Sequence, residues 1–250
     1  MRAQINLCAA LKEQGRYDAA IERYRKAIAA VPDNAEAHWN YALTLLATEN
    51  YADGWQEYEW RAMLPGFAME SVDRPQWQGE DLAGRTLLVH AEQGLGDTLQ
   101  FARYLSCLQD VDGSVVFACP ARLIPLLQEY AGGIRLVALD KKPPHDVQSP
   151  LISLPRLFHD AQPFEPEDGC YLRPEKARIA RWADRLDPTP GRRVGIAWQG
   201  STDYQNDGRR SLPLLSFEPL ARLDKVQLVS LQQGHGAEQI SEMPWRDRIT

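Results

Sequence analysis

Two short stretches of the chain hold residue types that could do chemistry. In the first, Gln93-Gly94-Leu95-Gly96-Asp97, a carboxylate follows closely spaced glycines. An acidic side chain held on such a turn can act as a general base toward a hydroxyl. It can also do no more than cap the helix that follows, and on residue type alone capping is the plainer role. Glu92 and Gln93 border the turn and could hydrogen-bond a sugar hydroxyl, although simple solvation also accounts for them. In the second stretch Ser201, Thr202, Asn206, Arg209, Arg210 and Ser211 lead into Pro213. Hydroxyls, guanidinium groups and a helix start suit a diphosphate, and a solvated surface loop would have the same composition.

The first stretch lies between a strand and a helix. Residues 86–91 form an apolar run of the kind a buried parallel strand shows. Gly94 and Gly96 permit a sharp turn. Asp97 then stands where an N-cap belongs, with Gln100 three residues on as in a capping box. Leu99, Ala102, Leu105 and Leu108 continue at helical spacing over a helix expected at 98–109. A dinucleotide site fails here. Its fingerprint needs glycine at position 99, which is Leu99, and Asp97 puts negative charge where a pyrophosphate would lie. A dinucleotide oxidoreductase is disfavoured on both counts.

Further strands are expected at 114–118 and 134–139, with a helix at 121–131 between them. This β-α-β-α-β order requires a parallel sheet with right-handed crossovers. Residues 146–158 read as a short edge strand, a loop and a brief helix, and 174–186 as a helix with proline at its start. A second α/β unit opens with a strand at 194–198. The long loop to 212, a helix through about 223 and a strand at 226–231 follow. His90 within a strand reads as a core histidine, and His235 sits in a loop that could face a ligand.

The first 68 residues are helical and repetitive. Leu7, Leu11, Gly15, Tyr17, Ala20, Tyr24, Ala27 and Pro32 keep the tetratricopeptide spacing, whose period is about 34 residues. Ala20 and Ala27 let two helices approach while Leu7, Leu11, Tyr17 and Tyr24 fill the space between them. A second copy starts near Ala35 with Trp39, Tyr41, Ala42, Leu45 and Tyr51. In its second helix Gly54 and Arg61 stand at the two alanine positions, as in an end unit docked on a neighbouring domain. Two copies are fewer than the three or so such repeats usually need, so upstream repeats or support from the next domain are expected. Residues 69–84, rich in Pro and Gly, read as a linker, with Trp77 packed on a domain surface.

The totals agree with an ordinary globular chain: 250 residues, 44% hydrophobic and 25% charged. A net charge of −6 disfavours nucleic acid or an anionic membrane as the main partner. Cys8, Cys107, Cys119 and Cys170 form no C-x-x-C pair, so buried free thiols in a reducing compartment are expected. No apolar run is long enough to span a bilayer and no signal-peptide pattern opens the chain, so a cytoplasmic location is expected.

The stretches His90-Ala-Glu-Gln-Gly-Leu-Gly-Asp-Thr-Leu-Gln-Phe-Ala-Arg-Tyr-Leu105, Pro150-Leu-Ile-Ser-Leu-Pro155 and Val194-Gly-Ile-Ala-Trp-Gln-Gly200, with Asn206-Asp207 and Arg210-Ser-Leu-Pro213, resemble bacterial tetratricopeptide proteins with a glycosyltransferase module. That module is similar to the heptosyltransferase superfamily and, more distantly, to O-linked N-acetylglucosamine transferases. The resemblance implies a GT-B arrangement: tetratricopeptide hairpins at 1–68, the linker at 69–84, a Rossmann-like acceptor-side domain at 85–187 and a Rossmann-like donor-side domain from 192. It also implies that Asp97 is the base, in a site with Gln93, Gly94 and Gly96. Arg210 and Ser201, then Arg209 and Ser211, are implied as contacts of a nucleotide-sugar's phosphates. Arginine and helix dipole would carry the phosphate charge, so neither metal nor cofactor is expected. The family's later strands and diphosphate-gripping helix do not occur in 192–250, so the donor side is expected to be a truncated, half-built domain. The competing expectation is a non-catalytic scaffold whose repeats bind a protein and whose α/β part is a retained shell.

Overall fold

The structure, a computed structural model, describes residues 2–67, 74–158, 170–186, 191–202 and 207–250. The chain divides into two compact units, Met1–Glu175 and Lys176–Thr250.

The first unit begins with α1 (Arg2–Glu13), α2 (Tyr17–Ala30), α3 (Ala35–Ala47) and α4 (Tyr51–Tyr58), the last continued by a 3-10 turn, Glu59–Met63. Gly15 at φ 72° stops α1 in the left-handed region that glycine adopts without strain. Asn34 starts α3, its Oδ1 accepting from the Ala37 N–H at 2.9 Å. Ala20 and Ala27 are buried, as close helix packing requires. The apolar face of α1 differs from expectation. Ile5, Cys8 and Leu11 enter the core with Tyr24, Tyr41 and Leu45, while Leu7 is 45% exposed. One residue is a 100° turn about the helix axis, enough to take Leu7 off the buried stripe.

The α/β part runs through β1 (Thr86–His90), α5 (Leu95–Phe101) with a 3-10 extension Ala102–Leu108, β2 (Ser114–Cys119), α6 (Ile124–Leu127), β3 (Arg135–Ala138), β4 (Val147–Pro150) and α7 (Leu154–Leu157). Its strands are all parallel in the order β3-β2-β1-β4. Leu88 pairs with Val116 in β2 and Gln148 in β4. Leu87 and Val89 pack with Phe117, Leu105 and Leu127, and Leu88 and Val116 line the opposite face. β1 is therefore central and apolar on both faces, as a buried parallel strand must be.

Trp77 corrects the expectation of surface packing. It is 2% exposed inside the sheet's core, and its indole N–H donates to the Glu80 carbonyl at 2.7 Å. Gln76 bridges Gln148 in parallel, Trp77 N–H donates to Gln148 O, and Gln148 N–H to Pro75 O. Residues 75–77 thus extend the sheet beyond β4, which pulls the indole inward. Residues 69–73 of the expected linker lie outside the described residues.

In the second unit α8 (Lys176–Arg185) precedes β5 (Arg192–Ile196), and a long connection leads through a 3-10 turn Leu214–Phe217 and α9 (Glu218–Ala221) to β6 (Val226–Ser230). β5 and β6 are parallel, with Val194 opposite Leu228. Ile196, Trp198, Leu214, Ala221 and Leu228 form the core of this β-α-β unit.

Cys8 and Cys119 are buried as expected, but Cys107 is half-buried and Cys170 exposed. Burial pushes the Cys119 thiol up to about 11, which keeps it protonated and inert. Among the described residues no helix is long and apolar enough to cross a membrane, and no cluster of three or more His, Cys, Asp or Glu is placed to hold a metal.

Candidate functional site

The strand order creates the site. From β1 the chain winds outward through β2 to β3, then returns to lay β4 on the other side of β1. The crevice between the carboxyl ends of β1 and β4 is a topological switch point, where open α/β sheets take their ligands. The residues leaving β1, 91–97, and those leaving β4, 151–153, border it.

The turn after β1 is built differently from its sequence expectation. Gly94 is the N-cap of α5, with extended backbone at φ −86° and ψ 175°. Asp97 is the third residue inside the helix, and its Oδ2 accepts from the Gly94 N–H at 3.0 Å. The helix starts three residues earlier than expected because this carboxylate bond satisfies an orphan N–H from inside the first turn. Neither glycine uses the left-handed region. That conformation falls on Gln93 at φ 61°, unusual for a residue with a side chain. A Cβ on Gly94 would lie 3.0 Å from Asp97 Oδ2, whereas one on Gly96 would meet nothing within 4 Å. The first glycine leaves room for the carboxylate and the second keeps the surface over the turn open. Asp97 is half-buried, and among the described residues its Oδ1 makes no hydrogen bond. One carboxylate oxygen therefore holds the turn, and the other is not used by it.

Arg61 fills the crevice itself. This residue of the second repeat is 1% exposed. Its five N–H donors make five hydrogen bonds. Nε and Nη2 clasp the Glu92 carboxylate at 3.1 and 2.6 Å, and Nη2 also reaches Ser153 Oγ at 2.9 Å. Nη1 donates to Glu59 Oε1 at 2.9 Å and to the Tyr58 carbonyl at 3.2 Å. Ser153 Oγ in turn donates to Glu59 Oε2 at 3.0 Å, and Glu92 Oε1 accepts the Ile152 N–H at 3.2 Å. Burial works against the guanidinium's charge, but the Glu92 and Glu59 carboxylates more than offset it and its pKa is raised. Glu92 is therefore not a solvated loop residue; its carboxylate accepts two hydrogen bonds from Arg61. Gln93 donates from Nε2 to the Tyr58 hydroxyl at 3.1 Å. Burial raises the Tyr58 pKa, so this hydroxyl stays a neutral acceptor. His90 is half-buried at the last position of β1, level with Ala118 and Pro150.

A cleft of about 270 Å³ lies beside this turn, lined by Tyr51, Trp55, Gln100, Phe101, Arg103 and Tyr104. Gln100 and Phe101 follow Asp97 at i+3 and i+4, so two of the cleft's residues share a face of α5 with Asp97. Trp55 meets Phe101 edge-on at 5.5 Å. Sequence reasoning missed these aromatics because Tyr51 also fits the repeat's spacing, and spacing does not distinguish a cleft wall from a core position.

In the second unit the expected anion loop is organised by Asp207, which the sequence did not single out. Its Oδ1 accepts from Ser211 Oγ at 2.8 Å and from Arg210 Nε at 3.0 Å, and its Oδ2 from Gln199 Nε2 at 2.6 Å. Ser211 Oγ accepts from the Gly200 N–H at 2.9 Å. Arg210 packs so closely over Gly200 that a Cβ there would lie 2.6 Å from its Nε. The helix expected at Pro213 opens instead as a 3-10 turn whose first N–H, from Leu214, already donates to Gln239 Oε1. A phosphate bound by Arg210 Nε or the Ser211 hydroxyl would compete with the Asp207 carboxylate for those donors. Ser201 and Arg209 are exposed, His235 is exposed beyond β6, and Asn206 lies outside the described residues.

The hydrogen bond from Ser211, reinforced by Arg210, holds the Asp207 carboxyl below its ordinary range. A depressed carboxyl contributes order that is fully present above its unfolded pKa of about 3.9 and lost as pH falls through the folded value. Amide protection at 207–212, the observed exchange rate taken relative to the intrinsic rate at each pH, is accordingly expected to hold from neutral pH to about pH 4 and then fall. In Asp207→Asn that protection should be low throughout, without the acid transition.

A TPR repeat model matches residues 9–48, from within α1 to the end of α3. The chain is similar to Protein FlbA of Caulobacter vibrioides, at 29% identity over 235 residues, which cover 84% of this chain and 39% of that protein. It thus spans well under half the length of this curated relative. The chain carries a TPR repeat joined to a parallel α/β sheet, and such repeats are protein-interaction modules.

Proposed function

We propose that the chain is part of a nucleotide-sugar-dependent glycosyltransferase of GT-B type with a repeat arm that engages a protein. The observation that carries this reading is Asp97 at the switch point, with one carboxylate oxygen holding the turn and the other unspent. Asp97 takes the proton of an acceptor hydroxyl as its oxygen attacks the anomeric carbon. The bond from that carbon to the diphosphate breaks and its electron pair leaves with the diphosphate, the class of ligand for which Arg210 and Ser211 of the second unit are the candidate contacts. The acceptor lies in the cleft of Tyr51, Trp55, Gln100 and Tyr104, whose ring faces and amide suit a sugar or peptide carrying the hydroxyl.

One observation favours a second reading, a scaffold without catalysis. Two of the donors expected to hold phosphate, Arg210 Nε and the Ser211 hydroxyl, already donate to Asp207, and the TPR repeat alone accounts for a protein partner. Calorimetric titration with uridine, guanosine and adenosine diphosphates separates the two. Binding of one nucleotide that weakens at least tenfold in Arg210→Ala, the loss of about one charge-assisted hydrogen bond, supports the transferase. Peptide binding by the repeats with no nucleotide affinity supports the scaffold.

A further inference from the structure

We infer that Arg61 and Tyr58 of the second repeat are positioning residues for Asp97, so that the repeat arm is a working part of the candidate site and not only a docking surface. The inference rests on the proposed role of Asp97 and extends it to residues outside the sheet.

The attachment of the repeats to the sheet does not need an arginine. Ala42, Tyr58 and Ile152 already form an apolar cluster across that seam, flanked by Trp39, Trp55 and Phe101. Apolar residues of similar volume usually hold such a seam as well as a buried ion pair or better, because the ion pair must first lose its water. What Arg61 supplies is direction. Its guanidinium fixes the plane of the Glu92 carboxylate by two parallel hydrogen bonds, and that carboxylate holds the Ile152 N–H. The exit of β1 is thereby tied to the exit of β4.

Tyr58, three residues earlier, holds the next residue along the turn, Gln93. Gln93 is in the left-handed region, a conformation that persists when its surroundings over-determine it. Two consecutive residues before Gly94 are thus held by one turn of the repeat. Gly94 is the residue whose N–H grips Asp97, so the chain of contacts runs unbroken from Arg61 and Tyr58 to the candidate base.

Hydrogen–deuterium exchange on the full 250-residue chain tests this. Tyr58→Phe keeps the ring against Trp55 and beneath the Arg61 guanidinium, and removes only the hydroxyl. Arg61→Lys keeps the charge and loses the two-point grip on Glu92. In both, exchange across 92–98 should rise about tenfold, the loss of one hydrogen bond, while β2 and the α1–α2 pair keep their wild-type protection. In a transferase assay the same variants should lower kcat and leave nucleotide affinity unchanged. Wild-type exchange at 92–98 in both variants overturns the inference. So does a rise spread evenly through the first unit, which would mark a purely structural role. The exchange result is independent of the transferase reading: Asp97→Asn with undiminished turnover would remove that reading while a loosened turn in Tyr58→Phe would still stand.

Discussion

Arg61→Met is expected to destabilise the first unit by about 3–5 kcal/mol, the cost of removing one partner from a buried ion pair. Methionine fills much of the same volume, so a cavity contributes little. The loss comes from what is left behind. The Glu92 and Glu59 side chains are 12% and 23% exposed, and both carboxylates would lose their buried cation. The Ser153 hydroxyl and the Tyr58 carbonyl would lose donors at the same time. Urea unfolding of the whole chain, followed by tryptophan fluorescence, reads the effect as a lower midpoint. Adding Glu92→Gln to Arg61→Met should recover part of it, because a neutral amide tolerates burial far better than an unpaired carboxylate. An unfolding free energy within about 0.5 kcal/mol of wild type, the ordinary scatter of surface substitutions, would mean that water reaches the cluster and the pair is not buried in solution.

Asp97→Asn is expected to lower glycosyl transfer by about 10²–10⁴-fold, the usual contribution of a general base. The substitution is isosteric, and the amide oxygen can still accept the Gly94 N–H, so the turn and its helix start remain. Only charge and proton affinity are removed. The unfolding free energy should change by no more than about 0.5 kcal/mol, and nucleotide affinity should stay at the wild-type level. Turnover equal to wild type would return Asp97 to the helix-capping role that its residue type alone suggests. Equal losses of turnover and stability would show that the turn had collapsed, and Asp97→Ser, which keeps a short acceptor, would then be compared.

Much of the fold is legible from local patterns. Alternating strand and helix signals give the parallel sheet, because each depends on residues a few positions apart. β1, the short edge strand β4 and the paired β5 and β6 lie within two or three residues of their expected ranges. The repeat spacing likewise yields the helical hairpins, and Asn34 announces the start of α3. Differences arise where two local signals compete. Asp97 looks like an N-cap because its type is right, yet Gly94 caps and Asp97 reaches back to it. The two arrangements differ by three residues and are equally open to an acidic side chain near a helix start.

By itself the sequence determined that TPR-type hairpins precede a parallel α/β sheet, and that an acidic residue stands on the turn after its central strand. Those properties follow from side-chain periodicity, glycine and proline placement and capping chemistry, all of which act within one element or one turn. Only the tertiary structure decided that Trp77 is core, that Asp207 organises the loop carrying Arg210, and that Arg61 fills the switch-point crevice. Arg61 and Glu92 are separated by 31 positions, and neither residue carries a local mark of the other. Their pairing exists because the apolar face formed by Ala42, Tyr58 and Ile152 brings the last repeat against the ends of β1 and β4. Burial then makes an unpaired charge there too costly to leave, and the carboxylate beside the turn is committed to the repeat.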